Sequence, residues 1–138
     1  AAENEGLYLF ARSGYRSYDT QVQLFNNYAE QHGEEAANTY SAKPGASEHQ
    51  TGLVMDITSE SVHFELTEEF GNTPEGKWVR KNAHYFGFII RYPEGYIYEP
   101  WDLRYLGVDL ATAIKESGLT YEEFLVEKGV LDHVSAKK

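Results

Sequence analysis

The run Leu53-Val54-Met55-Asp56-Ile57 sets an aspartate inside an apolar strand, and that one acid limits what this chain can fold into. Side chains alternate along a strand, so Asp56 shares a face with Val54, opposite Leu53 and Met55. An isolated carboxylate is costly to bury, so the fold must bring it a counter-charge, hydrogen-bond donors or a metal ion. Just upstream stands Ser47-Glu48-His49-Gln50-Thr51-Gly52, at the end of a loop (residues 42–50) rich in turn formers, where Gly52 lets the backbone turn sharply into the strand. Borderline metals such as zinc take imidazole and carboxylate ligands. Taken alone, Asp56 reads equally as a salt-bridged or hydrogen-bonded acid at a strand end, and His49 as an ordinary loop histidine. Their joint spacing, with Gly52 between them and Ser47 ahead, moves the reading toward a pair of ligands.

A second polar cluster, Glu99-Pro100-Trp101-Asp102-Leu103-Arg104, can complete such a site. Hydrolysis at zinc needs three protein ligands and an open position, together with a base that takes a proton from water and hands it to the leaving amine. In a bent segment Glu99 could be that base and Asp102 the third ligand. Without the first motif both read as surface acids beside Arg104. Arg16, in Ser13-Gly14-Tyr15-Arg16-Ser17, could stabilise an oxyanion or hold a carboxylate, although by itself it is a surface arginine at a helix start. His32, His63, His84 and His133 lack partner spacing and read as structural or exposed.

Around these clusters the pattern alternates between elements. Residues 6–15 read as a strand running into a turn. Ser17 caps a helix that runs to about residue 31 and stops at Gly33, with Val22, Phe25, Tyr28 and Ala29 on its apolar face. A short helix over residues 34–39 follows, then the loop and a strand over 53–58. Thr73-Pro74-Glu75 starts a helix that continues to residue 85 and ends at Gly87. Residues 88–91 form a strand, Pro93-Glu94-Gly95 a turn, and residues 96–105 the returning strand or strands. Two helices near 109–116 and 120–128 close the chain. Helices around a mostly hairpin-linked sheet predict an α+β fold, with a small antiparallel sheet flanked by helices.

Composition narrows the partners. The 138 residues are 41% hydrophobic and include 11 Tyr, 7 Phe and 2 Trp, enough for the core of a single domain over 1–138 and unlike a disordered chain. A formal net charge of −10 argues against nucleic acid and against adhesion to anionic lipid. With no cysteine, disulfides and thiolate zinc sites are excluded. No apolar run approaches the ~18 residues of a membrane span, and no signal peptide is visible. The chain opens Ala1-Ala2-Glu3-Asn4 without a Met, and the expectation is a trimmed piece lacking its export segment.

Taken together, Ser13-Gly14-Tyr15-Arg16-Ser17-Tyr18 with Gln21, then Ser47-x-His49-x-x-Gly52-x-x-x-Asp56, then Tyr98-Glu99-Pro100-Trp101-x-x-Arg104-Tyr105, resemble the VanY/LdcB-type zinc carboxypeptidases. These are bacterial peptidoglycan D,D- and L,D-carboxypeptidases. The resemblance implies a Hedgehog/D-Ala-D-Ala-peptidase-like fold with a single metal cleft, one zinc ion and a location in the bacterial cell envelope. It implies, too, a monomer that removes the terminal D-alanine from stem peptides. It places His49 and Asp56 on the first two zinc ligands, Glu99 on the catalytic base, Arg16 on the arginine that steadies the scissile carbonyl, and Ser47 and Gln21 on substrate contacts. The family's last motif reads Glu-x-Trp-His, and its histidine is the third ligand; here that position is Asp102. The connection at residues 93–96 is also shorter than relatives often have.

The aspartate admits three readings. It ligates the metal, giving a His/Asp/Asp site that withdraws less charge from bound water and accepts divalent metals other than zinc. It is too short or badly aimed, and metal binds weakly. Or it was engineered to silence the enzyme. The first is the structural expectation, with lowered activity under all three. Rivals from other classes are a catalytically silent stem-peptide binder, against which Glu99 argues, and a glycosidase using paired carboxylates, which leaves His49 and Gly52 unexplained.

Overall fold

The computed structural model describes residues 1–95 and 97–133, with Tyr40 described by its backbone. A short 3-10 turn (Ala2–Glu5) leads into β1 (Phe10–Ser13), followed by α1 (Tyr18–His32) and α2 (Glu34–Tyr40). A second 3-10 turn (Glu48–Thr51) precedes β2 (Val54–Thr58), and two more (Glu60–Val62, Glu68–Asn72) precede α3 (Pro74–Asn82). After the turn Ala83–Phe86 come β3 (Phe88–Tyr92), β4 (Glu99–Tyr105), α4 (Val108–Ser117) and α5 (Tyr121–Glu127). The result is an α+β fold whose antiparallel strands run in the order β1-β2-β4-β3.

Local chemistry sets most of the ends. Ser17 caps α1 by accepting the Thr20 amide, and Gly33 terminates the helix. Thr73 caps α3 through the Gly76 amide, with Pro74 in the first turn, where its missing N–H costs nothing. Thr120 and Glu123 form a reciprocal capping box at the start of α5.

The core lies on one face of the sheet. Met55 and Leu103 are cross-strand partners on β2 and β4, and with Ile57 they pack against Val62, Phe70, Val79 and Ala83. A smaller cluster, Ile89 with Ala111, Ile114 and Phe124, docks α4 and α5 on β3. Ile89 is paired with Arg104, so these helices cover part of the opposite face, the one that carries Asp56 and Asp102.

Several local expectations are corrected. Only β3 and β4 are joined directly; α1, α2 and the loop intervene between β1 and β2, so the sheet is not mostly hairpin-linked. The buried face of α1 holds Gln21 and Phe25, and Tyr28 is exposed, because Gln21 answers a polar neighbourhood described below. The α3 helix ends at Asn82 and tightens into the 3-10 turn before Gly87. The 42–50 loop already turns helically at Glu48. The returning strand starts at Glu99; Tyr96 lies outside the described residues.

Candidate metal centre

The register of the sheet builds the site. Asp56 on β2 and Asp102 on β4 are directly paired, on the same face. Opposed side chains of an antiparallel pair stand about 5 Å apart, so two carboxylates meet there that would repel each other unaided. Ser13 sits on the other side of Asp56, across β1. The 3-10 turn Glu48–Thr51 then lays His49 over the end of β2, and Gly52 at φ 76 provides the left-handed residue that joins turn to strand.

One ligand atom from each of His49, Asp56 and Asp102 lies within 4.8 Å of the other two, and all three residues are buried. The His49 ring is oriented from behind. Its Nδ1 is 2.7 Å from the Gly14 carbonyl oxygen. A carbonyl can only accept, so Nδ1 carries the hydrogen and Nε2 is directed into the site, the arrangement expected of a metal-binding imidazole. The loop is tied a second time where the Arg16 amide donates to the His49 carbonyl. His49 Nε2 stands 3.3 Å from Asp56 Oδ1, yet that oxygen has no hydrogen bond, and neither has Asp102 Oδ1. A neutral imidazole would point a lone pair at the Asp56 carboxylate. The approach is favourable only with a proton or a cation between them.

The titration of the groups follows from this crowding. Burial alone would push His49 down, but the Asp56 carboxylate facing its Nε2, with the Gly14 carbonyl, raises it. Asp102 is pushed up to about 8, first by burial and then by the charges of Asp56 and Glu99, with a hydrogen bond to Glu99 adding to the effect. Without metal, protons therefore stand where a divalent ion would otherwise balance the charge. One nitrogen and two oxygen donors, two of the oxygens orphaned, fit zinc or a harder divalent metal.

Glu99 reaches Asp102 although they are an odd number of positions apart, which on a regular strand would place them on opposite faces. Between the Ile90–Leu103 and Tyr92–Glu99 pairs, β3 advances two residues and β4 four, so β4 bulges at Pro100-Trp101. Pro100 has no N–H to give to the ladder, and a bulge there rotates the strand end and re-aims Glu99.

Arg16 lies on the opposite side of the aspartates. Its Nη2 is 3.4 Å from Asp56 Oδ2, and Nη1 donates to Gln21 Oε1 at 3.2 Å. Gln21 is 1% exposed and its amide nitrogen donates to Ser41 Oγ and the Ala42 carbonyl, so its whole carboxamide is committed to holding Arg16 against the 42–50 loop. Ser47 is half-buried at the N-cap of the Glu48–Thr51 turn, and its side chain makes no capping bond. The other histidines are elsewhere: His32, His63 and His133 are exposed, and His84 stacks on Tyr85.

Sequence reasoning passed over Glu48, the neighbour of His49. Its carboxylate accepts from Arg91 Nε at 2.6 Å and pairs with the Arg104 guanidinium. Those partners stand on β3 and β4, 43 and 56 residues away, and only the sheet brings them together.

The VanY family, described as D-alanyl-D-alanine carboxypeptidase, matches residues 1–108. YodJ of Bacillus subtilis (strain 168) is 53% identical over 130 residues, covering 90% of this chain and 48% of its own length. The chain thus spans about half of that relative. Among solved structures, the LdcB LD-carboxypeptidase, described with the basis of its peptidoglycan recognition, superposes with a TM-score of 0.85 at 52% identity, over 90% of this chain and 61% of that one. A mutant of the vancomycin-resistance D,D-pentapeptidase VanY in complex with Zn(II) superposes with a TM-score of 0.73 at 33% identity, over 90% and 75%.

Proposed function

The chain belongs to the VanY family of D-alanyl-D-alanine carboxypeptidases, and from that premise we propose that it is a metal-dependent carboxypeptidase of the bacterial cell envelope that removes the terminal D-alanine from peptidoglycan stem peptides. The observation that carries the proposal is the cross-strand pairing of Asp56 with Asp102 beneath His49, with carboxylate oxygens left without hydrogen bonds. A buried cluster of that kind has no structural use in a chain built only to pack.

In this reading His49 Nε2, Asp56 and Asp102 hold one divalent ion, zinc by kinship. The ion, when bound, supplies Lewis acidity to a water molecule and to the scissile carbonyl. The Glu99 carboxylate takes a proton from the attacking water and returns it to the amine nitrogen as the peptide C–N bond breaks and D-alanine leaves. Arg16 donates to the carbonyl oxygen as negative charge grows there. Gln21, expected from the resemblance to touch substrate, acts through Arg16 by fixing its guanidinium. Ser47, at the rim and uncommitted as a cap, remains a substrate contact.

Asp102 sets the level of activity. Where the resemblance implies a neutral histidine, this chain adds a second carboxylate beside Asp56, and its proton must leave before an ion can bind. The added negative charge also makes hydroxide scarcer at neutral pH. Incubation of the parent and Asp102→His with zinc and defined stem peptides, followed by mass spectrometry, tests the assignment. The expected result is slow D-alanine release by the parent and at least ~10-fold faster release by the variant, the size of effect that metal-site changes bring. No release by either protein would end it.

A further inference from the structure

Two arginines lie nearly buried on the sheet face beside the metal centre. The side chains of Arg91 and Arg104 are 10% and 15% exposed, and their strands are hydrogen-bonded neighbours. Two guanidinium groups in that position need two counter-charges. One is Glu48, whose two carboxylate oxygens divide between them: Oε2 accepts from Arg91 Nε, and Oε1 pairs with Arg104. The other is Glu122, which pairs with the outer nitrogen of Arg91. The Tyr121 ring lies 5.2 Å from the Arg91 guanidinium carbon and 5.9 Å from that of Arg104, and the Tyr92 ring is 4.7 Å from Arg91. Tyr92 also donates its hydroxyl to Glu48 Oε2 at 3.4 Å.

Glu48 is the first residue of the four-residue turn that carries His49. A turn of that length has too few internal hydrogen bonds to fix a side chain. Gly14 orients the ring and the Arg16 amide holds the His49 carbonyl, while the Glu48 carboxylate ties the turn to β3 and β4. Glu122 and Tyr121 belong to α5, which lies beyond residues 1–108 and so outside the part that the family match covers.

We propose that α5 is a positioning element of the metal centre: Glu122 and Tyr121 fix Arg91, Arg91 and Arg104 fix Glu48, and Glu48 sets the turn that presents His49. The inference rests on His49 being a metal ligand, as proposed above. None of these residues touches the ion or the reacting atoms; each acts through the next. The α5 helix is anchored separately by Phe124 in the small core cluster, so a change at Glu122 leaves its docking in place.

Zinc affinity of the chelator-stripped parent, Glu122→Gln, Glu48→Gln and Glu127→Gln tests this, with Tm and amide hydrogen exchange of residues 48–52 measured without metal. Glu127 is on the same helix in an exposed ion pair and serves as the control. Glu122→Gln and Glu48→Gln are expected to weaken zinc about 10-fold or more, the usual effect of losing an outer-shell partner, and to speed exchange at 48–52. Glu122→Gln should keep a Tm near that of the parent, Glu48→Gln should melt lower because it leaves two nearly buried guanidinium groups with one counter-charge, and Glu127→Gln should change nothing. If Glu122→Gln lowers Tm, Tyr121→Leu takes its place, removing the ring while keeping apolar bulk. A parent that takes up no zinc would overturn the metal assignment and this inference with it. A parent that binds zinc, with Glu122→Gln and Tyr121→Leu matching its affinity and exchange, would overturn this inference alone.

Discussion

At the scale of the residue, the proton content of the site decides its behaviour. The folded chain holds Asp102 protonated up to about pH 8, whereas the unfolded chain releases that proton near its ordinary value of 3.8. The folded state therefore binds more protons between those limits, and stability present below the lower one is lost as pH rises toward 8. His49, raised above 6.5, acts with the same sign: its contribution is full below 6.5 and declines as pH climbs through the folded value. A chelated sample should accordingly melt lower at pH 8.5 than at pH 5.5, and the difference should shrink in Asp102→Asn. An equal drop in the variant would contradict the assignment. Metal must displace the same protons. Zinc titration calorimetry at pH 7, repeated in buffers of different ionisation enthalpy, should report release of between one and two protons per ion. Zero release would mean that the site is already deprotonated.

The elements show which parts of this site could be read in advance. The starts of α1 and α3 were legible because their caps are local: Ser17 and Thr73 bond amides three residues on. The alternation that puts Asp56 with Val54 was legible for the same reason. The pairing of Asp56 with Asp102 was not, because register depends on where two strands distant in sequence meet. Nor was the β4 bulge that turns Glu99 toward Asp102, although Pro100 was a sign that the ladder would break there. Glu48 was invisible because its arginines are far off in the chain, and Tyr28 was misplaced because apolar spacing cannot reveal that Gln21 has a partly buried guanidinium to hold. A prediction belonging to this scale concerns α3. A Cβ on Gly76 would stand 1.9 Å from the Phe70 carbonyl oxygen, a contact with rigid backbone. Gly76→Ala should destabilise the protein by about 3–5 kcal/mol, at the high end for single substitutions, read from urea unfolding. A loss below about 1 kcal/mol would mean that α3 does not press on the Glu68–Asn72 turn as described.

At the scale of the molecule, the sheet divides the work. One face carries Met55, Ile57 and Leu103 into the main core, and the other gathers Asp56, Asp102 and the two arginines. Carboxylates are exposed to neighbours of like sign in a chain already at −10, so the cluster is expensive without a cation. Among the described residues no helix is long and apolar enough to cross a membrane. The proposed peptide hydrolysis requires the site to close around one ion. The most direct measurement is equilibrium dialysis of the chelator-stripped parent against zinc at pH 8, with metal counted by mass spectrometry alongside His49→Ala. About one zinc per parent chain is expected, and far less in the variant, since three converging ligands bind zinc tightly when they are deprotonated. Below ~0.1 zinc per parent chain, or equal uptake by both proteins, the claim that His49, Asp56 and Asp102 enclose a metal ion would be contradicted.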